Sequence, residues 1–124
     1  CDAVPASCRK ASVGGKPHAS ASAARDSAPA PERILHGQPS WRSWLYLSEN
    51  GMTSGRWEST PGCWTIAYDK WEFMTILSGR GVVRGEDGSR TELVPGATLV
   101  INPGFKGTWE VLEPMAKHVF VRLR

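Results

Sequence analysis

From Trp41 onward the chain is cut by turn signals at short, regular intervals, and nothing between them has the length or periodicity of a helix. Asn50-Gly51, Pro61-Gly62, Asp69-Lys70, Gly79, Asp87-Gly88, Pro95-Gly96, Pro103-Gly104 and Pro114 separate the segments 42–48, 53–60, 63–68, 71–78, 81–85, 89–94, 97–102, 107–113 and 115–124. Asn-Gly and Asp-Gly accept the positive φ of tight hairpins, and Pro ends a ladder because it has no N–H to donate. Apolar residues at i, i+3, i+4 and i+7 are nowhere sustained over a helical length. Short strands with turns at this spacing specify an all-β sandwich or barrel.

The first 33 residues read differently. They contain Val4 and Val13 but no Leu, Ile, Met, Phe, Tyr or Trp, while all 6 Trp, both Tyr and all 3 Phe lie in 34–124. A segment of Ala, Ser, Pro, Gly and scattered charge buries too little apolar surface to offset chain entropy. Residues 1–33 are therefore expected to be a disordered, dispensable tail, and 34–124 a single folded domain. No apolar run approaches the ~20 residues of a membrane span. The chain reads as a soluble, cytoplasmic protein with no membrane partner.

The formal net charge is +3, part of it contributed by Arg9, Lys10, Lys16, Arg25 and Arg33 in the tail. In the folded part the basic residues stand singly, without the concentrated positive face of a nucleic-acid binder. No nucleic-acid partner is expected. Cys1, Cys8 and Cys63 form neither a disulfide framework nor a paired metal knuckle, and Cys63 reads as a small buried hydrophobe. A Cys at position 1 followed by a polar tether suits a processed lipoprotein. A truncated or mis-started reading frame explains the same start more simply.

Strand alternation then sorts side chains onto faces. Glu72 shares its face with Met74 and Ile76, Lys117 with Val119, Val121 and Leu123, and Trp109 with Val111. Trp57 faces away from Arg56 and Glu58. A Glu and a Lys thus each stand in an otherwise apolar row. Buried charges are costly unless paired, so Glu72 and Lys117 are expected to point into one partly polar interior.

The strings GRWESTPG (55–62), EFMTILSG (72–79), the EDG hairpin at 86–88, Pro95-Gly96, INPGFKGTWEVLEP (101–114) and Lys117-His118 fall in order over residues 50–122. Together they resemble small single-domain cupins of the (S)-ureidoglycine aminohydrolase-like type. The resemblance implies a double-stranded β-helix, or jelly-roll barrel, with a site inside the barrel mouth. It also implies a manganese-dependent release of ammonia from ureidoglycine.

Cupins hold their metal with two His and a Glu from a first motif and a His from a second. Carried onto this chain, Glu72 and Gly79 fit the end of the first motif. The two His positions fall on Ile66 and Tyr68, or on Thr65 and Ala67. The second motif places the usual Pro at Asn102, keeps Gly104, and puts its His at Gly107. Such metals want three or four converging N, O or S ligands, so no metal and no cofactor is expected.

What remains is a metal-free pocket for a small polar nitrogen-containing metabolite. Glu72, Tyr68 and Lys117 are the candidate catalytic residues, with Glu72 as a hydrogen-bond acceptor or general base. Trp57, Glu72, Trp109, Lys117 and Lys106 are the candidate ligand contacts, Lys106 lying in the loop after Pro103-Gly104. Each has a plainer reading: a structural Glu72–Lys117 pair, aromatic core filling, a solvated Lys106. Ala116 stands where relatives usually carry Arg, which removes a two-cation carboxylate clamp. His118 has the opposite parity to Lys117 and is expected to face out. An aminohydrolase-like enzyme and a metal-independent isomerase or epimerase are the catalytic alternatives. A homodimer is expected, since bare sheet edges invite pairing.

Overall fold

The computed structural model of the protein describes residues 22–123. Its strands are β1 (Arg25–Ser27), β2 (Ile34–Gly37), β3 (Trp41–Glu49), β4 (Met52–Ser59), β5 (Gly62–Ala67), β6 (Trp71–Gly85), β7 (Arg90–Leu93), β8 (Thr98–Ile101) and β9 (Lys106–Arg122). All pair antiparallel in one curled sheet. Among the described residues no helix is long and apolar enough to cross a membrane.

Two long bent strands, β6 and β9, pair along almost their whole length and form the spine. The first half of β6 carries β8, and the second half of β9 carries β4, β3 and β1. The second half of β6 carries β7, and the first half of β9 carries β5 and β2. The spine thus folds one sheet into two facing halves, giving an all-β jelly-roll barrel. The core between them includes Trp64, Ile66, Met74, Ile76, Val83, Leu93, Ile101, Trp109, Val111 and Met115.

The sequence reading splits β6 at Gly79 and β9 at Pro114, but the ladder runs through both. Gly79 has φ +89°, and a Cβ there would overlap the Pro114 carbonyl and Cα of Met115. Register shifts between Ile76 and Gly81 absorb the bend at this point. Both residues mark where the spine folds over, and neither ends a strand. Asn50 (φ 52°) and Gly51 (φ 74°) form the expected hairpin turn between β3 and β4.

The boundary at Ile34 needs correction. Arg25, Asp26 and Ser27 pair with Ser43, Arg42 and Trp41 of β3. A 3-10 turn at Pro31–Arg33 then carries Arg33 onto β5, where its guanidinium donates from Nε and Nη2 to the Thr65 carbonyl at 2.9 and 2.7 Å. Composition hides this because β1 is held by backbone pairing and Arg33 by one charge-assisted contact, neither of which needs bulky apolar residues. The rest of the expected tail, residues 1–21 with Cys1 and Cys8, lies outside the described residues. Hydrogen bonds from a charged donor are worth ~1.5–3 kcal/mol. A chain beginning at Ile34 should therefore unfold at measurably lower urea than the full chain, and Arg33→Ala should reproduce part of that loss. An unchanged urea midpoint would show that residues 22–33 contribute nothing to the barrel.

Candidate functional site

Lys117 and Glu72 come from neighbouring spine strands. Lys117 pairs across the ladder with Ile76 on one side and Trp57 on the other, while Glu72 pairs with Val121. The Lys117 side chain runs along the strand to meet the carboxylate, and its Nζ donates to Glu72 Oε2 at 3.0 Å. Both are almost sealed from water, with side-chain exposures of 7% and 12%. The ammonium also stands 4.4 Å from the Trp57 ring centroid and 4.2 Å from that of Trp109. The rings of Trp57 and Trp109 are nearly perpendicular, at 87° and 6.2 Å. One carboxylate and two aromatic faces thus cage a buried cation, the arrangement in which cation–π attraction is strongest. Burial holds the Lys117 ammonium below the usual lysine range, and the Glu72 carboxylate acts against that shift.

Tyr68 follows β5 and is held by its backbone: its N–H donates to the Phe105 carbonyl at 2.8 Å, and Gly104 N–H donates to the Tyr68 carbonyl at 2.7 Å. Its phenol is pushed well above the ordinary tyrosine range, first by burial, then by the charge and hydrogen bond of Glu72. A raised folded-state pKa gives stability that is full below pH 10.0, the ordinary value, and is lost as pH rises past it. Tyr68→Phe should therefore remove part of the wild-type fall in urea midpoint above pH 10.0. Parallel wild-type and mutant curves across that range would mean that the Tyr68 phenol is not buried as described.

These groups surround a cavity of about 330 Å³ whose walls include Arg33, Trp41, Trp57, Tyr68, Glu72, Trp109 and Lys117. Its size is that of a small-ligand site. Trp41 and Trp64 extend the aromatic wall, with ring centroids 5.4 Å apart. Among the described residues the buried indole N–H groups of Trp41 and Trp109 have no acceptor, so the wall retains two donors at some cost in stability. A larger depression of about 490 Å³ lies outside the barrel. There Arg42 pairs with Asp26 and Arg56 with Glu58, so its charges satisfy one another.

Trp57, Tyr68, Glu72, Trp109 and Lys117 are thus brought together. Lys106 is not. It opens β9 opposite Ala67, and the alternation that turns Gly107 and Trp109 inward turns Lys106 out, beside Thr65 and Glu86. His118 faces outward, 3.2 Å from the Tyr46 hydroxyl. Arg33, on the cavity wall, was missed because nothing near it in sequence signals a fold. The only hint is Pro31, which favours the turn that aims it.

The register also decides between the two placements of the lost metal motif. Trp64 and Ile66 are in the core and Tyr68 packs against it, so Ile66 and Tyr68 occupy the inward His positions. At Gly107 a Cβ would overlap the Arg84 carbonyl. No side chain fits there without moving the β6–β9 ladder, so the third ligand cannot be regained by simple substitution. Glu72 Oε2 already accepts from the Lys117 ammonium, and that positive charge opposes a metal ion beside it. Among the described residues no three His, Cys, Asp or Glu donors converge inside the barrel. The residues present do not fit the cupin metal; a fixed ammonium stands as the cation beside the motif carboxylate.

The sequence profile of the EutQ-like cupin domain matches residues 48–119. Among solved structures, the chain is similar to a protein of unknown function of the DUF861 family from Pseudomonas syringae (24% identity, TM-score 0.73), covering 79% of this chain and 43% of that one. It is similar to the EutQ protein of Clostridium difficile (11% identity, TM-score 0.61), covering 68% and 63%. A DUF861 family protein from Thermotoga maritima shares 33% identity at a TM-score of 0.50, covering 52% and 73%. The chain therefore spans less than half the length of the Pseudomonas protein. No curated protein matches it. The profile match takes in β4 to β8 and most of β9, and with it Trp57, Tyr68, Glu72, Trp109 and Lys117. The chain belongs to the EutQ-like cupin domain family.

Proposed function

We propose that the barrel interior binds a small polar, nitrogen-containing metabolite without a metal in the cupin position. The observation that carries this reading is the Lys117–Glu72 pair at 3.0 Å inside a Trp-walled cavity. A buried ion pair is poor value for stability alone. In a cavity it supplies one acceptor and one cation at fixed positions, the groups needed to orient an amide, ureido or amino-acid ligand. Glu72 accepts from ligand N–H, Tyr68 closes one side, and Arg33 brings a second cation to the wall. The likeness to ureidoglycine aminohydrolase-like cupins supports the ligand class. It does not extend to that enzyme's manganese-dependent reaction, because the ligand positions hold Ile66, Tyr68 and Gly107.

A second reading is a metal-independent isomerase or epimerase, favoured by the contact of Tyr68 with Glu72, an acid–base pair on one wall. A cytoplasmic setting and a homodimer complete the proposal. The exposed outer-face residues Trp71, Phe73, Val100 and Phe120 support pairing with a second copy. The test is a thermal-shift panel of ureido compounds, amides and amino acids on wild type and Glu72→Gln. At least one compound should raise the wild-type midpoint saturably and leave Glu72→Gln unmoved. A panel without response, or equal shifts in both proteins, would overturn the reading.

A further inference from the structure

On the outside of the barrel, three strands distant in sequence bring a nitrogen, a sulfur and an oxygen donor into one row. His36 of β2 pairs with Cys63 of β5, and Cys63 pairs with Glu110 of β9. Directly paired residues project to the same face. The alternation that turns Trp64 and Trp109 inward therefore turns Cys63 and Glu110 outward. His36 joins them through a register shift between Ile34 and His36; without it Leu35 would stand opposite Cys63. Bulges of this kind re-aim a side chain.

The short Cys63 lies between two longer side chains that close over it. His36 Nε2 and Glu110 Oε2 are 3.3 Å apart, and the donor atoms of all three residues lie within 4.8 Å of one another. Bonds of ~2.0–2.3 Å in a tetrahedral site place donors roughly 3.3–3.8 Å apart. The His–Glu edge is already at that spacing. The His36 side chain is 60% exposed and so has room to turn toward the thiol. The other Glu110 oxygen accepts from Arg84 Nη1 at 2.9 Å, which fixes the carboxylate with Oε2 toward His36. Arg84 is the nearby positive charge, and it is engaged by that oxygen.

We propose that His36, Cys63 and Glu110 form a zinc-class metal site on the outer face, separate from the barrel interior, with solvent in the fourth position. Mixed imidazole, thiolate and carboxylate donors suit Zn²⁺. The exposed His36 leaves a path for the ion, and on binding the Cys63 thiol releases its proton to solvent. This departs from the expectation that the protein binds no metal, which was argued from the barrel motif alone. It stands independently of the ligand proposed for the interior.

The test is a Co²⁺ titration of the full chain under reducing conditions, with Cys1→Ser and Cys8→Ser so that Cys63 is the one thiol. One equivalent should give the near-ultraviolet thiolate-to-cobalt charge-transfer band, and Zn²⁺ should displace it. The band should vanish in Cys63→Ala and weaken roughly tenfold or more in affinity in His36→Ala. It should persist in Glu72→Gln. If Cys63→Ala does not fold, the exposed His36→Ala variant decides. A missing band, affinity unchanged in His36→Ala, or a band lost with Glu72→Gln would overturn the proposal.

Discussion

Lys117→Met should lower the free energy of unfolding by ~3–5 kcal/mol, because it leaves the Glu72 carboxylate buried without a partner. The ammonium hydrogen bond at 3.0 Å and two cation–π contacts disappear together, and the Met side chain replaces only the aliphatic stem. The double variant Glu72→Gln, Lys117→Met should recover part of this loss, since neither charge is then buried. Urea unfolding of the wild type, both single variants and the double gives the coupling directly. The sign of its pH dependence is fixed as well. A lysine whose folded pKa lies below 10.5 adds stability as pH rises through that folded value toward 10.5, and Lys117→Met should abolish this rise. Simple additivity of the two single substitutions would mean that the residues do not interact.

Trp109→Ala should be about as damaging, at ~3–5 kcal/mol for a large aromatic removed from a core. Trp109 is 2% exposed and lies in the ladder between Trp64 and Val83, with Trp57 edge-on to it. Its loss opens a cavity beneath the ammonium and removes one face of the cage. Trp109→Phe keeps a ring there and should cost clearly less. A loss below ~1 kcal/mol in Trp109→Ala would place the residue outside the core.

How much of this was readable in the chain follows from the range of the interactions involved. Turn residues act locally, so the hairpin at Asn50-Gly51 and the ends of β4, β5 and β8 follow closely from composition. Gly79 and Pro114 mislead because the same residues that end a strand also let a long one fold over. Alternation placed Glu72 and Lys117 on inward rows, yet it could not say that the lysine reaches along β9 to the carboxylate. Lys106 was misplaced because a loop was expected where β9 has already begun. Arg33 and the His36–Cys63–Glu110 row were out of reach. The first rests on one guanidinium meeting a backbone carbonyl on β5, the second on a bulge that sets the register of β2.

The cocrystal structure with the tightest compound from the ligand panel tests the central claim most directly. Density is expected in the cavity between Tyr68, Glu72 and Lys117, with a ligand N–H on the Glu72 carboxylate and no metal ion at that carboxylate. A ligand seated in the outer depression beside Arg42 and Arg56, or a metal ion bound to Glu72, would contradict it.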